Sequence, residues 1–215
     1  SKVDYNTGAV SAQFSPEDII QKFPELKEMA NIRSEQISNI LFLNIRFHNY
    51  NQIAQRIQKE IKKNPKGIIV THGTDTLHYT SAALAFILEN VNIPIILVGS
   101  QRSSDRPSTD SALNLLHAVQ FIKESNFKGV AICMHSSTND TSSIILPACK
   151  TRKLHTSRRD AFKPVNSSPI ATIDKAIKFH NNNREKIKDK LKLKPIKENL
   201  KIGIIKIHPN IYAKQ

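Results

Sequence analysis

The chain of 215 residues contains no tryptophan, only two cysteines and only six glycines. Cys133 and Cys149 are too few for a disulfide framework and are not spaced as metal ligands, which favours a reducing compartment. The longest apolar runs, such as residues 93–98, are far shorter than the roughly 18 to 20 residues that a bilayer-spanning helix needs. The first residues lack the apolar core of a secretory signal. We therefore expect a soluble cytoplasmic protein with no membrane partner.

Acidic residues are also scarce. The sequence has 18 Asp and Glu residues and 32 Lys and Arg residues, which gives a formal net charge of +14. Such an imbalance is typical of a polyanionic partner or of a basic proteome. The basic residues cluster at 178–201 and 152–160. The first cluster can be a solvated connection or a surface that faces RNA, although it lacks the interleaved aromatic residues of a single-strand binding platform.

Several common functional motifs are missing. The sequence has no phosphate-binding G-x-x-x-x-G-K-[ST] loop, no G-x-G-x-x-G after a strand and no G-x-S-x-G turn. Its 8 histidines do not show the spacing of zinc ligands. These absences argue against a nucleotide site and against metal catalysis, and they leave hydroxyl, carboxylate and amine chemistry.

Short apolar strands alternate with amphipathic helices along most of the chain. The patterns predict helices at 17–32, broken at Pro24, and at 50–63, 77–90 and 110–124, with strands at 66–73, 93–100 and 128–134. Strands that alternate with helices indicate βαβ units and a mostly parallel sheet covered on both faces, a doubly wound α/β fold. Further on, residues 169–180 predict a hairpin with a turn at Asp174 and Lys175, and residues 200–209 predict one more strand.

Three polar segments follow the predicted strands: "THGTDT" (71–76), "GSQRSSDRPSTD" (99–110) and "HSSTND" (135–140). In doubly wound sheets the ligand crevice lies beyond the carboxyl ends of the strands. The sequence therefore predicts a site at that edge.

The first of these segments offers a reactive hydroxyl. Thr74 can be a nucleophile or can orient a water molecule, provided that a neighbouring group takes its proton. Asp75 can hold an ammonium group or a lysine, and Lys153 can act as a base. The alternative is structural, with Thr74 or Asp75 capping the following helix.

Two other polar regions have structural alternatives as well. Residues 107–110 can cap the helix at 110–124, with Pro107 near the helix start. Residues 155–160 can be an exposed basic loop.

Taken together, "VTHGTDTLHYTSAAL" (70–84), "VGSQRSSDRPSTDSALNLLHAV" (98–119) and "RKLHTSRRDAFKP" (152–164) resemble the asparaginase/glutaminase family. Within it, "SQRSSDRPS" and "HTSRRDAF" are most similar to the D subunit of archaeal glutamyl-tRNA(Gln) amidotransferases. "DYNTGAV" (4–10) resembles the flexible N-terminal segment of the family.

The resemblance implies release of ammonia from the side-chain amide of glutamine or asparagine through a covalent acyl-enzyme. It implies catalytic roles for Thr74, Asp75 and Lys153, with Asp75 also binding the α-ammonium group, and it places Tyr5 at the lid tyrosine. Gly73 and Ser100 match positions that line the substrate pocket.

The same resemblance implies the partners. It implies a homodimer bound to the E subunit of the amidotransferase, which binds Glu-tRNA(Gln) and holds ATP and Mg²⁺, so that this chain itself carries no cofactor. A free cytosolic L-asparaginase and a catalytically incomplete RNA-binding fragment are the alternatives.

The sequence also departs from the family. The family's first catalytic threonine lies in a Gly-rich turn that we expect ahead of Ser1, and its small β-barrel and second α/β domain are not in the sequence. We therefore expect an internal fragment, with an amidohydrolase domain at 1–165 that lacks its first strand. Residues 166–215 are then a hairpin, a basic connection and a strand leading toward a second domain. Phe42 and Leu43 stand where the family has polar residues that grip the substrate.

Overall fold

The computed structural model describes residues 2–3, 6–7, 10–11, 15–38, 44–180, 189–209 and 211–212. The α-helices within these ranges are α1 (Pro16–Lys22), α2 (Glu25–Met29), α3 (Phe47–Ile61), α4 (Thr74–Ile87) and α5 (Ser111–Glu124), and a short 3-10 helix spans Ala148–Lys150. The strands are β1 (Lys2–Val3), β2 (Val10–Ser11), β3 (Ile68–Thr71), β4 (Leu88–Glu89), β5 (Pro94–Val98), β6 (Gly129–His135), β7 (Ser143–Pro147), β8 (Thr151–Lys153), β9 (Phe162–Pro164), β10 (Ala171–Ile173), β11 (Ile177–Phe179) and β12 (Lys192–Leu193).

The central sheet in the described ranges has six strands in the order β11-β10-β7-β6-β5-β3. Strands β3, β5 and β6 are parallel to one another, while β7, β10 and β11 each pair antiparallel with the preceding neighbour. Strands β7 and β11 therefore run opposite to the other four. The prediction of an α/β sheet with mostly parallel strands is confirmed, and the antiparallel half begins after β6.

Both faces of the sheet are covered by helices, which confirms the doubly wound prediction. Ile95 and Leu97 of β5 pack on the face that α3 and α4 cover, and Ile96 and Val98 pack on the face that α2 and α5 cover. Because successive side chains of a strand point to opposite faces, a strand buried on both faces must be apolar throughout. Each large apolar side chain buried in this way contributes about 1.5 to 3 kcal/mol.

The two crossovers β3–α4–β5 and β5–α5–β6 differ in hand. Both advance in the same direction across the sheet, yet α4 and α5 lie on opposite faces. One of the two is therefore left-handed, which is uncommon for parallel strands. Both still deliver their strand-end loops to the same edge of the sheet.

Most predicted elements are present with shifted boundaries. Pro24 separates α1 from α2 as predicted, and α4 begins at Thr74 rather than at 77. The hairpin is confirmed, with Ile173 opposite Ile177 on either side of the turn.

The strand predicted at 200–209 is wrong. These residues form no strand, and Ile202, Ile204, Ile205 and Ile207 are between 71% and 92% exposed. A strand needs a partner to satisfy its backbone hydrogen bonds. No described residue supplies one there, so the apolar pattern alone does not suffice.

Part of the basic cluster at 178–201 docks through its backbone, while the side chains of Lys192 and Lys194 stay exposed as a solvated connection predicts. Strand β12 pairs with β4, Lys194 bridges to Glu89 at 2.8 Å, and the Asn51 side chain exchanges hydrogen bonds with the backbone of Ile196.

Within the described ranges, no helix is both long enough and apolar enough to cross a bilayer.

Candidate active site

The predicted polar segments meet at one edge of the sheet. β3 ends at Thr71, β5 at Val98 and β6 at His135, and the three strands are parallel neighbours. Their carboxyl ends therefore lie side by side, and the loops that follow surround a common area. This confirms the prediction that the three segments share an edge.

Lys153 joins Thr74 and Asp75 across this edge. Its Nζ donates to Thr74 Oγ1 at 2.8 Å and to Asp75 Oδ1 at 2.5 Å, although the residues are 79 and 78 positions apart in sequence. The Lys153 side chain is only 8% exposed, whereas that of Asp75 is 46% exposed. Because the Thr74 oxygen accepts from the ammonium group, its own proton can be donated elsewhere.

The position of Lys153 depends on a small hairpin held by α4. β8 pairs with β9, so that Lys153 stands opposite the fully buried Phe162. The Ser81 hydroxyl of α4 donates to the carbonyl oxygen of Ala148 at 3.1 Å, just before β8. Helix α4 thus carries two members of the cluster and also fixes the segment that delivers the third.

The capping interpretation of Thr74 and Asp75 is wrong. Gly73 occupies the N-cap position of α4, and the cap has no side-chain hydrogen bond. Thr74 and Asp75 lie in the first turn, where a carboxylate is favoured by the helix dipole. Their side chains instead contact Lys153, so these residues are not explained by helix capping.

His72 fixes the backbone just before Thr74. Its Nδ1 lies 2.7 Å from the carbonyl oxygen of Gly73 and its Nε2 lies 2.9 Å from the Thr80 hydroxyl. Since a carbonyl only accepts, Nδ1 carries the proton and Nε2 accepts from Thr80. Burial lowers the pKa of His72, which favours this neutral form.

His78 lies buried one turn below Thr74, and spacing did not single it out. Its ring is 4.2 Å from that of Tyr79 and 6.4 Å from that of Phe162, and its Nδ1 finds no hydrogen-bond partner among the described residues. Burial, and next the charges of Arg152 and Lys153, lower the pKa of His78. A neutral ring there adds no positive charge beside Lys153.

Gly99 allows β5 to approach Thr74 closely. A Cβ atom at this position would lie 2.9 Å from Thr74 Cγ2, 2.9 Å from Leu77 Cδ1 and 3.2 Å from the carbonyl oxygen of His72. Side chains do not tolerate contacts this short, so the side chains of Thr74 and Leu77 must move if a methyl group is added, and the Thr74 hydroxyl moves with its methyl group.

We expect Gly99→Ala to lower activity by about 100-fold, because displacements near 1 Å have effects of that size. The rate of ammonia release from glutamine by the full-length protein is the measurement. Thr74→Ser in the same background removes the methyl that the new Cβ meets, and it should restore part of the rate. Full activity of Gly99→Ala would contradict the close-approach argument.

Ser100 lies at the site edge, but its hydroxyl is engaged within its own loop. It lies 3.0 Å from Asp110 Oδ1 and 3.1 Å from Thr109 Oγ1. The one hydroxyl proton of Ser100 is therefore used within the loop. The predicted cap at 107–110 is partly confirmed. Asp110 occupies the N-cap position of α5 without a capping hydrogen bond of its own, and the Thr109 hydroxyl accepts from the backbone N–H of Ser111 at 3.3 Å.

Residues 155–158 are exposed, as the alternative of an exposed basic loop predicts, and the loop is also held by ion pairs and hydrogen bonds. Arg158 binds Asp160 at 2.9 and 3.0 Å, and Arg159 binds Asp140 and the carbonyl oxygen of Ser108. Hydrogen bonding to Arg158 lowers the pKa of Asp160 to about 2.

This loop is also tied to the one that follows β5. Gln101 Nε2 donates to the carbonyl oxygen of Arg158 at 2.7 Å. The loops that follow β5 and β8 therefore form one connected wall of the site.

Three sequence predictions lie outside the described residues: Tyr5, Phe42 and Leu43. Their functions stay predictions. The catalytic and substrate-binding roles assigned to Gly73, Thr74, Asp75, Ser100 and Lys153 stay predictions too, because geometry alone does not test them.

Comparison with known proteins gives consistent results. A family model described as "Asparaginase, N-terminal" matches residues 1–185. The chain is 45% identical over 216 residues to the D subunit of glutamyl-tRNA(Gln) amidotransferase from Methanococcus maripaludis, covering 98% of this chain and 51% of the relative. It is 48% identical over 174 residues to the protein of the same name from Archaeoglobus fulgidus, covering 81% and 41%. The chain thus spans about half the length of the curated relatives it matches.

Solved structures with a similar fold include two asparaginases. The thermostable L-asparaginase from Thermococcus kodakarensis superposes with a TM-score of 0.78 at 26% identity, covering 90% of this chain and 56% of that one. L-asparaginase I from Vibrio cholerae superposes with a TM-score of 0.81 at 26% identity, covering 92% and 59%.

Proposed function

Because the chain belongs to the asparaginase family, we propose that it forms the amide-hydrolysing part of a tRNA-dependent amidotransferase. In this proposal the full-length protein releases ammonia from the side-chain amide of glutamine or asparagine. The ammonia then converts Glu-tRNA(Gln) to Gln-tRNA(Gln). The observation that carries the proposal is the contact of Lys153 with both Thr74 and Asp75.

Amide hydrolysis needs a nucleophile and a proton for the departing nitrogen. Lys153 donates to Thr74, and Thr74 can pass its own proton to the amide nitrogen as the C–N bond breaks and ammonia departs. Lys153 then resupplies the proton to Thr74 and becomes a neutral amine. In the reverse direction the same pair can take a proton from a nucleophile. Asp75 keeps the lysine paired in its low-exposure position, where an unpaired charge would be costly.

Asp75 also suits an amino-acid substrate. Its side chain is 46% exposed while it binds Lys153, so an α-ammonium group can reach the carboxylate. Gly73 directly precedes Thr74 in the chain, and Ser100 follows Gly99, which lies against the Thr74 methyl group. These features support glutamine or asparagine as the substrate class.

The similarity to amidotransferase D subunits over 98% of the chain supports a role within a complex. We propose a homodimer that binds the E subunit as its partner, with Glu-tRNA(Gln), ATP and Mg²⁺ held by that partner. In this arrangement the present chain supplies ammonia and needs no cofactor of its own.

A free L-asparaginase is the second candidate. It is favoured by the structural similarity to the L-asparaginases from Thermococcus kodakarensis and Vibrio cholerae. The two candidates share the Lys153 cluster and differ in what receives the ammonia.

Ammonia release and Gln-tRNA(Gln) formation distinguish them. The full-length protein is assayed with glutamine and with asparagine, alone and with the partner protein, ATP, Mg²⁺ and Glu-tRNA(Gln). We expect formation of Gln-tRNA(Gln) that depends on both proteins. Rapid asparagine hydrolysis by the protein alone, with no gain from the partner, would favour the free asparaginase, and no ammonia from either amide would overturn both.

A further inference from the structure

Asp110 is fully buried, yet its carboxylate does not serve the helix that begins beside it. An aspartate at an N-cap normally accepts hydrogen bonds from the first backbone amides of its helix. Asp110 makes no such bond, and its own backbone is already helical. Since a buried carboxylate is costly unless it is well hydrogen-bonded, its partners must come from elsewhere.

The partners come from the loop that follows β5. Oδ1 accepts from the backbone N–H of Arg102 at 2.8 Å and from the Ser100 hydroxyl at 3.0 Å, and Oδ2 accepts from the backbone N–H of Gln101 at 2.9 Å. Consecutive backbone N–H groups that converge on one anion form a defined binding geometry. The conformation of residues 100–102 is therefore set by the Asp110 carboxylate.

Asn114 connects the same carboxylate to the catalytic edge. Its side-chain amide donates to Asp110 Oδ2 at 3.3 Å and to the carbonyl oxygen of Gly99 at 3.1 Å. Gly99 in turn lies against the Thr74 methyl group. The chain of contacts from Asp110 thus ends at the hydroxyl-bearing residue that Lys153 binds.

The chemistry of Ser100 follows from this arrangement. A serine hydroxyl has one proton, and both the Asp110 carboxylate and the Arg102 carbonyl oxygen beside it only accept. Ser100 therefore uses its one hydroxyl proton within its own loop, and its side chain can meet a substrate only as an acceptor. The direction of its backbone groups follows from the loop conformation.

We propose that Asp110 is a positioning residue for the amide substrate. It holds the backbone of residues 100–102 against Thr74, so that the side-chain amide of glutamine or asparagine lies in line with Thr74 and Lys153. Asp110 itself touches no substrate and acts through Ser100, Gln101 and Arg102. This inference rests on the proposed function.

The test compares Asp110→Asn and Asp110→Ser with the wild type in the full-length protein with its partner protein. Asn and Ser are N-caps about as good as Asp, so both variants retain a capping residue. Asp110→Asn turns an –NH₂ group toward a backbone N–H, and we expect KM for glutamine to rise by about 10- to 100-fold with a smaller change in kcat. Ser15→Ala, which removes a true capping side chain of α1, is the matched control and should leave KM unchanged.

Hydrogen exchange gives a second measurement that needs no catalytic activity. The backbone amides of Gln101 and Arg102 should exchange at least about tenfold faster in Asp110→Asn, while the α4 amide of Leu84 keeps its protection. Unchanged exchange at 101 and 102, or an unchanged KM, overturns the proposal. Equal acceleration at Leu84 also overturns it, since Asp110 would then support the whole fold. A wild type without amidase activity refutes the proposed function, and the exchange data still decide whether Asp110 holds the loop.

Discussion

Lys153→Met is expected to reduce glutamine hydrolysis by the full-length protein by about 10²- to 10⁴-fold, the usual contribution of a positioned acid or base. Methionine is unbranched and of similar length, so it keeps the apolar stem that packs in the low-exposure position while removing the ammonium group. Thr74 then loses the donor that lies 2.8 Å away and can no longer be resupplied with a proton. The measurement is kcat for ammonia release, with KM determined alongside.

Lys150→Met is the matched control, because it makes the same change three residues earlier at an exposed position. It should retain wild-type kcat. The Lys153 variant should also remain folded, since Asp75 stays half exposed and can be solvated by water. A folded Lys153→Met protein that keeps most of its activity would remove this amine from the mechanism.

Thr74→Val is expected to lower kcat by a similar factor of about 10² to 10⁴. Valine keeps the branched shape against Gly99, where the Thr74 methyl group lies, and removes only the hydroxyl that accepts from Lys153. The proton path between the lysine and the leaving nitrogen is then interrupted. Ammonia release from glutamine and asparagine under single-turnover conditions measures the effect on the chemical step.

Thr74→Ser provides the rescue that a purely structural role does not predict. It restores the hydroxyl while losing the methyl group, so we expect it to retain a substantial part of the wild-type rate. If Val and Ser were equally impaired, shape rather than proton transfer would explain the residue. If both were fully active, Thr74 would have no part in the reaction.

The sequence correctly placed the polar segments at one edge of the sheet because its signal is local. Buried strands are apolar runs, and the polar segments after them mark where each strand leaves the sheet, so "THGTDT" could be placed at that edge by pattern alone. The same pattern failed at 200–209, where apolar residues alternate but the described residues supply no neighbouring strand. Hydrophobic periodicity indicates which residues tend to be buried. The segment forms a strand only when a neighbouring strand is present to pair with it.

The residues around the proposed catalytic cluster were harder to find. His72, His78, Gly99 and Asn114 carry no spacing that distinguishes them from ordinary core or turn residues. Asp110 looked like a helix cap, because the sequence shows the helix that follows it and not the loop to which its carboxylate reaches back. Asn114 lies between apolar residues of α5, next to Leu115, and that position was the one signal available for it.

The sequence by itself determined the alternation of strands and helices, the break at Pro24 and the edge of the sheet at which polar chemistry collects. Residue chemistry made Lys153 a candidate base, and the resemblance to a family implied a catalytic role for it. Only the tertiary structure brought its amine to Thr74 and Asp75, and only the tertiary structure directed the Asp110 carboxylate to the loop after β5 rather than to the first backbone amides of α5. The physical reason is that hydrophobic periodicity depends on neighbours a few residues away. A hydrogen bond across 79 residues depends on how a small hairpin docks against α4.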